Sequence, residues 1–200
     1  VHSLVIQDLE TGEMVSCANP GPGQSWDGPG IFHGLRLLAD ADRLYAHNGL
    51  DFDIPALHKV FPEWSTDAQV LDTMVLARSR FAHIEDEDYR RNKGGNFPGR
   101  LIRSQSLEAW GYRRGLHKGD YEGGWEEWSP AMQEYCEQDV TVTVALVKHL
   151  AAHGLPPRTV KMEHDLKRYL TRQEKNGWPF QVGEAAKLQA LALPMAFARV

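Results

Sequence analysis

Residues 44–57 read LYAHNGLDFDIPAL, and this stretch decides how the rest of the chain is interpreted. It predicts a short strand over 43–47, a turn at Asn48-Gly49, and a helix over 53–60. Asp53 therefore lies at the start of a helix that closely follows the end of a strand. Carboxylates that strand ends deliver into a cleft are well placed to bind metal ions.

Strand-like and helix-like segments alternate on both sides of this stretch. The predicted elements are a hairpin over 2–18, a strand over 69–71, helices over 31–39, 74–80 and 129–152, and a helix that begins near Ser106. Residues 83–103 are polar, basic and contain glycine, so they predict a loop or lid. The alternation predicts an α/β domain.

The long helix carries a second candidate group, Tyr135 and Asp139. Ser129 suits its N-cap and Pro130 its first position. A spacing of four places the phenol and the carboxylate one turn apart on one face. Phosphodiester hydrolysis by two metal ions requires several carboxylates close to both ions, and a tyrosine hydroxyl can orient the attacking water.

Each of these signals also has an ordinary explanation. An aspartate at a helix start, such as Asp53, can be a cap. A Tyr–Asp pair on an amphipathic helix can belong to the solvated surface. Asp51 is a further candidate carboxylate, but it lies two residues before Asp53 and can face away or cap the helix. Taken alone, these residues indicate a metal-dependent hydrolase and leave the alternatives open.

Composition excludes some classes of protein. No apolar run reaches the roughly 18 residues that a membrane span needs, and the first residues lack the features of a signal peptide. The two cysteines, Cys17 and Cys136, lie far apart and have no paired spacing. This pattern argues against a disulfide framework or a structural zinc, and predicts a cytoplasmic protein.

Charge is distributed unevenly along the chain. Residues 89–118 contain eight Lys or Arg and one Glu, whereas the remaining residues contain 14 basic and 26 acidic side chains. Such a basic segment is a candidate contact for nucleic-acid phosphates, and a solvated basic surface is the alternative. Arg90, Arg91 and Lys93 are the predicted DNA-binding residues, and the segment ends at Lys118.

Several segments resemble one enzyme family. Residues 44–57 resemble the second exonuclease motif of the DEDD superfamily, N-x-x-x-F/Y-D, and YCEQDVTVT (135–143) resembles the third motif, Y-x-x-x-D, of its tyrosine subclass. Linking segments are also similar: VLDTMVLAR (70–78), SLEAWGYRRGLHKGDY (106–121) and RQEKNGWPF (172–180). The form and order of the segments resemble the proofreading domain of family A DNA polymerases of short-tailed phages.

The resemblance implies a 3′→5′ exonuclease with an RNase H-like fold, in which helices flank a mixed central sheet. It implies that Asp53 and Asp139 bind Mg²⁺ or Mn²⁺, with two ions in the complete site. Tyr135 would position the water, and Asn48 and Phe52 would line the cleft beside the terminal nucleotide. The implied partners are a single-stranded DNA 3′ end and the primer–template, with a possible processivity factor and, for a phage protein, the host cytoplasm as location.

The family's first motif, D-x-E on a strand, is the point of departure. Asp8-Leu9-Glu10 has this spacing, but these residues lie in the predicted hairpin turn, where short acidic residues are common. In the phage relatives, the corresponding segment follows the motif strand. The expectation is therefore that the first strand is missing from this chain and that the chain alone is nearly inactive.

The predicted domains are an exonuclease domain over 1–157 and a linker with the first helices of a polymerase domain over 158–200. Two rival functions remain. One is a free-standing ribonuclease of the DEDD superfamily, against which the polymerase-like segment 172–180 argues. The other is a module that guides single-stranded DNA without cleaving it, which the absent first strand favours.

Overall fold

The computed structural model describes residues 1–116 and 121–197, and side chains as far as residue 191. Strands lie at Ser3–Gln7 (β1), Met14–Ala18 (β2), Arg43–Ala46 (β3) and Gln69–Asp72 (β4). Helices lie at Ile31–Asp40 (α1), Asp53–Val60 (α2), Thr73–Arg80 (α3), Glu85–Lys93 (α4), Leu107–Arg114 (α5), Pro130–His153 (α6), Pro157–Asn176 (α7) and Val182–Phe197 (α8).

The strands form two separate pairs within the described residues. β1 and β2 are antiparallel, with Leu4 opposite Cys17, and β3 and β4 are parallel, with Ala46 opposite Asp72. The α/β class agrees with the prediction, but the single mixed sheet does not form among these residues. Among the described residues, β1 and β3 each pair with another strand on one edge only, so no ladder of backbone hydrogen bonds joins the two pairs.

The predicted loop or lid at 83–103 is wrong, because most of this segment is helical. α4 begins with four acidic residues, Glu85 to Asp88, and ends with Arg90, Arg91 and Lys93. This order complements the helix dipole at both ends. Glu87 also binds Arg91 one turn later through an oxygen–nitrogen contact of 2.6 Å. The charges that indicated a loop therefore stabilise a helix.

α6 begins at the predicted position and forms one wall of the core. The Ser129 hydroxyl accepts the Met132 amide at 3.1 Å, and Pro130 is the first helical residue. Val142 and Leu146, one turn apart, are completely buried and pack with Trp110 and with Leu71 of β4. Apolar burial at this spacing places one face of α6 against the end of the parallel pair.

The chain divides into two compact units, Val1–Arg168 and Tyr169–Val200, and the division lies inside α7. The first unit contains all four strands named above. The second contains the end of α7 and α8. The boundary at 157 that separates the two functional domains stays a prediction, because compactness does not assign a function to either unit.

Candidate active site at the end of the parallel strands

The chain turns sharply where β3 ends. Asn48 has a positive φ of 61°, a conformation that asparagine adopts more readily than most residues. A Cβ on Gly49 would lie 2.4 Å from the Ala46 Cβ and 3.6 Å from Asp53 Oδ2, so glycine is needed there. The Asn48 carbonyl accepts the Phe52 amide at 3.1 Å, which leads directly into α2. This turn places the Asp53 carboxylate beside the strand end.

Asp72, at the end of β4, holds this turn and was not predicted from the sequence. Its buried carboxylate accepts the amides of Asn48 at 3.1 Å and Leu50 at 3.2 Å. It also caps α3 by accepting the Met74 amide at 2.9 Å. The sequence signal was the Asp-Thr pair between a strand and a helix, which is typical of an N-cap. With these hydrogen bonds, the Asp72 carboxylate holds the turn and caps α3 next to the candidate site.

Asp53 lies among other carboxylates. Burial raises the pKa of the Asp53 carboxyl above its usual range, a hydrogen bond from its own backbone lowers it, and the negative charges of Asp72 and Asp139 raise it. A carboxylate that is destabilised by like charges favours a nearby cation. The charge of Asp139 on α6 thus acts on the Asp53 carboxyl of α2, which puts the predicted pair within electrostatic range of each other.

Tyr135 and Asp139 do not belong to the solvated face of α6. Both are half-buried, and Asp139 lies on the same helix row as the buried Val142 and Leu146. The Tyr135 ring also contacts the ring of Trp125, with centroids 5.8 Å apart. This partial burial is compatible with a site on this face of α6, and the functional role of the pair stays a prediction.

The remaining predicted cleft residue, Phe52, is the N-cap of α2 and is 70% exposed. Its ring is accessible to a ligand at the edge of the turn.

The acidic residues of the hairpin are far simpler. Asp8 and Glu10 are exposed in the turn between β1 and β2, as predicted. The Asp8 carboxylate accepts the Thr11 amide at 2.7 Å and the Glu10 amide at 2.8 Å. These hydrogen bonds lower its pKa, the one from Thr11 most. Asp8 is a turn residue, as the hairpin pattern predicted.

The basic segment is largely neutralised by ion pairs. Arg91 binds Glu87, Arg103 binds Glu85, and the buried Arg113 binds Asp88 at 2.8 Å. Arg90 and Lys93 are exposed on α4, and neither forms an ion pair with the described side chains. Lys118 lies outside the described residues. The charges available to a ligand are therefore fewer than the sequence count indicated.

Within the part of the chain that the structure describes, no group of three or more His, Cys, Asp or Glu side chains is arranged to hold a metal ion. The Asp53–Asp139 pair supplies oxygen donors, which Mg²⁺ prefers, but two carboxylates are few for this ion. No helix among the described residues is both long and apolar enough to cross a membrane. Neither cysteine forms a disulfide bond.

Comparison with known proteins finds relatives among phage enzymes, although no protein-family model matches the chain. The chain is 30% identical to the DNA-directed DNA polymerase of Escherichia phage T7 over 90% of its own length. It is 31% identical to the DNA-directed DNA polymerase of Enterobacteria phage T3, also over 90% of its length. The chain spans 31% of the length of each relative. It is thus related to part of these phage DNA polymerases.

Proposed function

We propose that this chain is part of the 3′→5′ proofreading exonuclease domain of a phage-type DNA polymerase. The observation that carries the proposal is that Asp53 of α2, in the turn after β3, and Asp139 of α6 lie within electrostatic range of each other. The similarity to phage DNA polymerases supports a role in DNA synthesis or editing. The finer assignment to editing rests on the site and on the order of the motifs.

The chemistry we propose is hydrolysis of the 3′-terminal phosphodiester. Asp53 and Asp139 would hold Mg²⁺ or Mn²⁺, and two such ions in the complete site would supply charge stabilisation and an activated water. The Tyr135 hydroxyl, on the same helix face as Asp139, would orient the water by a hydrogen bond. Asn48 and the exposed ring of Phe52 would contact the terminal nucleotide at the edge of the turn.

We further propose an RNase H-like fold that a strand from outside this chain completes. β1 and β3 each have an edge without a strand partner in the described residues, and a strand between them would join the two pairs into one mixed sheet. Such a strand could also carry the D-x-E carboxylates that the site lacks. The complete protein would act on the single-stranded 3′ end and the primer–template in the host cytoplasm, with a processivity factor as a further partner.

One observation favours a second candidate, a module that guides single-stranded DNA without cleaving it. The described residues contain no group of three metal-binding side chains, so by themselves they fall short of a two-metal site. The free-standing ribonuclease has no such support, because the relatives that match nine-tenths of the chain are DNA polymerases.

A nuclease assay on two polypeptides tests the proposal. We expect residues 1–200 to release almost no nucleotide from a 3′-labelled single strand in Mg²⁺, because two carboxylates bind this ion weakly. A longer polypeptide with its natural upstream strand should release mononucleotides from the 3′ end. Inactivity of both polypeptides would favour the guiding module, and strong activity of residues 1–200 would revive Asp8 and Glu10 as metal ligands.

A further inference from the structure

The helix α7 reaches the candidate active site at two points. His164 is 2% exposed, and its Nε2 accepts the backbone N–H of Asp72 at 2.8 Å. Lys167, almost one turn later, donates to the Asp51 carboxylate and forms an ion pair with it. Asp72 ends β4, and Asp51 lies two residues before Asp53 in the turn that follows β3.

The hydrogen bonds of His164 determine its protonation state. Nε2 can accept the Asp72 N–H only without a proton of its own. Nδ1 lies 2.8 Å from the Val160 carbonyl oxygen, which is an acceptor, so the proton is on Nδ1. The imidazole is therefore a neutral side chain whose Nε2 connects α7 to the end of β4, while its Nδ1 binds a carbonyl of α7 itself.

The Asp72 side chain carries this connection into the turn. With its backbone held by His164, its carboxylate accepts the amides of Asn48 and Leu50. The Lys167–Asp51 pair holds the next residue of the same turn. A Cβ on Gly49 would lie 3.6 Å from Asp53 Oδ2, so the turn that α7 holds lies beside the Asp53 carboxylate.

We propose that His164 and Lys167 are positioning residues, which act through Asp72 and Asp51 to fix the Asp53 carboxylate for metal binding. The proposal rests on the proposed function for its catalytic consequence, but not for its structural one. Partners outside the metal-binding pair commonly change metal affinity or activity by about 10- to 100-fold. It also follows that the nuclease needs α7 at least as far as Lys167, beyond the predicted boundary at 157.

The substitutions separate the hydrogen bond from the bulk of the side chain. His164→Leu removes the acceptor for the Asp72 N–H, whereas His164→Gln can offer its Oε1 at a similar distance along the side chain. Lys167→Met removes the ion pair, and Lys167→Arg keeps the charge. Lys161→Met is the matched control, because Lys161 is exposed on the same helix and binds only Asp165 among the described side chains.

The first readout is amide hydrogen exchange in the 200-residue chain, which requires no activity. We expect His164→Leu and Lys167→Met to speed exchange in the peptide 46–53, while His164→Gln, Lys167→Arg and Lys161→Met resemble the parent. The global unfolding temperature of each variant is measured in parallel. If His164→Leu fails to fold, Lys167→Met and Lys167→Arg decide the test; if Lys167→Met fails to fold, His164→Leu and His164→Gln decide it. Unchanged exchange in the folded His164→Leu and Lys167→Met variants would overturn the proposal.

The second readout is the Mg²⁺ concentration for half-maximal nuclease activity in the longer polypeptide. His164→Leu should raise it by about 10- to 100-fold, and His164→Gln should restore it. A purely structural role would lower the unfolding temperature without this metal dependence, and that result would contradict the proposal. Inactivity of the parent polypeptide would instead reject the proposed function and leave the exchange result standing.

Discussion

At the scale of single residues, Asp53 and Asp72 show how neighbouring carboxylates take different roles. Asp72 accepts several backbone amides, which occupy its oxygens and leave it little capacity for a metal. Asp53 is an exposed residue, but desolvation of its carboxyl group and the negative charges of Asp72 and Asp139 oppose its ionisation. The local environment, and not the residue type, makes one a structural residue and the other a candidate ligand.

This difference predicts how Asp53 affects stability. Because its pKa is raised in the folded state, the ionised form destabilises the fold at every pH above that pKa, and the effect disappears as the pH falls below the ordinary value. Asp53→Asn should therefore raise the unfolding temperature at pH 7 without metal. Glu10→Gln, in the exposed hairpin turn, should leave it unchanged. Calorimetry that finds Asp53→Asn less stable than the parent would contradict this account.

Tyr135 allows a test of one atom. Tyr135→Phe keeps the ring and its contact with Trp125 but removes the hydroxyl, so the fold should be unaffected. We expect nuclease activity in the longer polypeptide to fall about 10- to 10³-fold, as for a group that orients water rather than a ligand. Metal affinity, measured by calorimetry, should change little. A collapse of metal affinity in Tyr135→Phe would assign the hydroxyl to the metal site instead.

At the scale of elements, the helix bounds followed closely from local signals. The Ser129-Pro130 start of α6 and the Asn48-Gly49 turn before α2 have strong residue preferences, so both could be predicted. α4 could not, because its polar residues match a loop in composition. Its stability comes from charge order along the helix and from the buried Asp88–Arg113 pair, which joins residues 25 positions apart.

The candidate site, like the helices, contains residues that local sequence patterns could predict and residues that they could not. Motif spacing could predict the positions of Asp53, Tyr135 and Asp139 after a strand and on one helix face, because these positions depend on short-range patterns. The contribution of His164 could not be predicted, since its contact with Asp72 joins residues 92 positions apart. Nothing in the local sequence of α7 distinguishes a buried acceptor from an ordinary surface histidine.

The element α4 carries a prediction about DNA. Arg90 and Lys93 are exposed, whereas Glu87 neutralises Arg91. If both exposed cations contact phosphates, replacing both with Ala should flatten the plot of log affinity against log salt by up to about 1.4 units, at about 0.7 per phosphate of a single strand. Arg91→Ala should change the slope less. The slopes are measured by titration at several salt concentrations. Equal slopes for the parent, the double variant and Arg91→Ala would show that these cations form a solvated surface that does not contact DNA.

At the scale of the whole molecule, residues 1–168 form a compact unit with the candidate site, and the relatives are about three times as long as the chain. The proposed editing site would thus occupy one part of a longer polymerase. Separate sites for synthesis and editing predict that changes at one leave the other intact. This separation distinguishes an exonuclease site from a structural acidic cluster, whose loss would lower both activities through the fold.

The most direct measurement compares both activities of the longer polymerase in Asp53→Ala and Asp139→Ala variants, with Glu10→Ala as the control. Both activities are measured in Mg²⁺. The nuclease is followed by the release of mononucleotides from the 3′ end of a labelled single strand, and the polymerase by the extension of a primed template. We predict that each aspartate variant loses the nuclease and keeps the polymerase, while Glu10→Ala keeps both. Wild-type nuclease activity in either aspartate variant would contradict the assignment of this chain as an exonuclease.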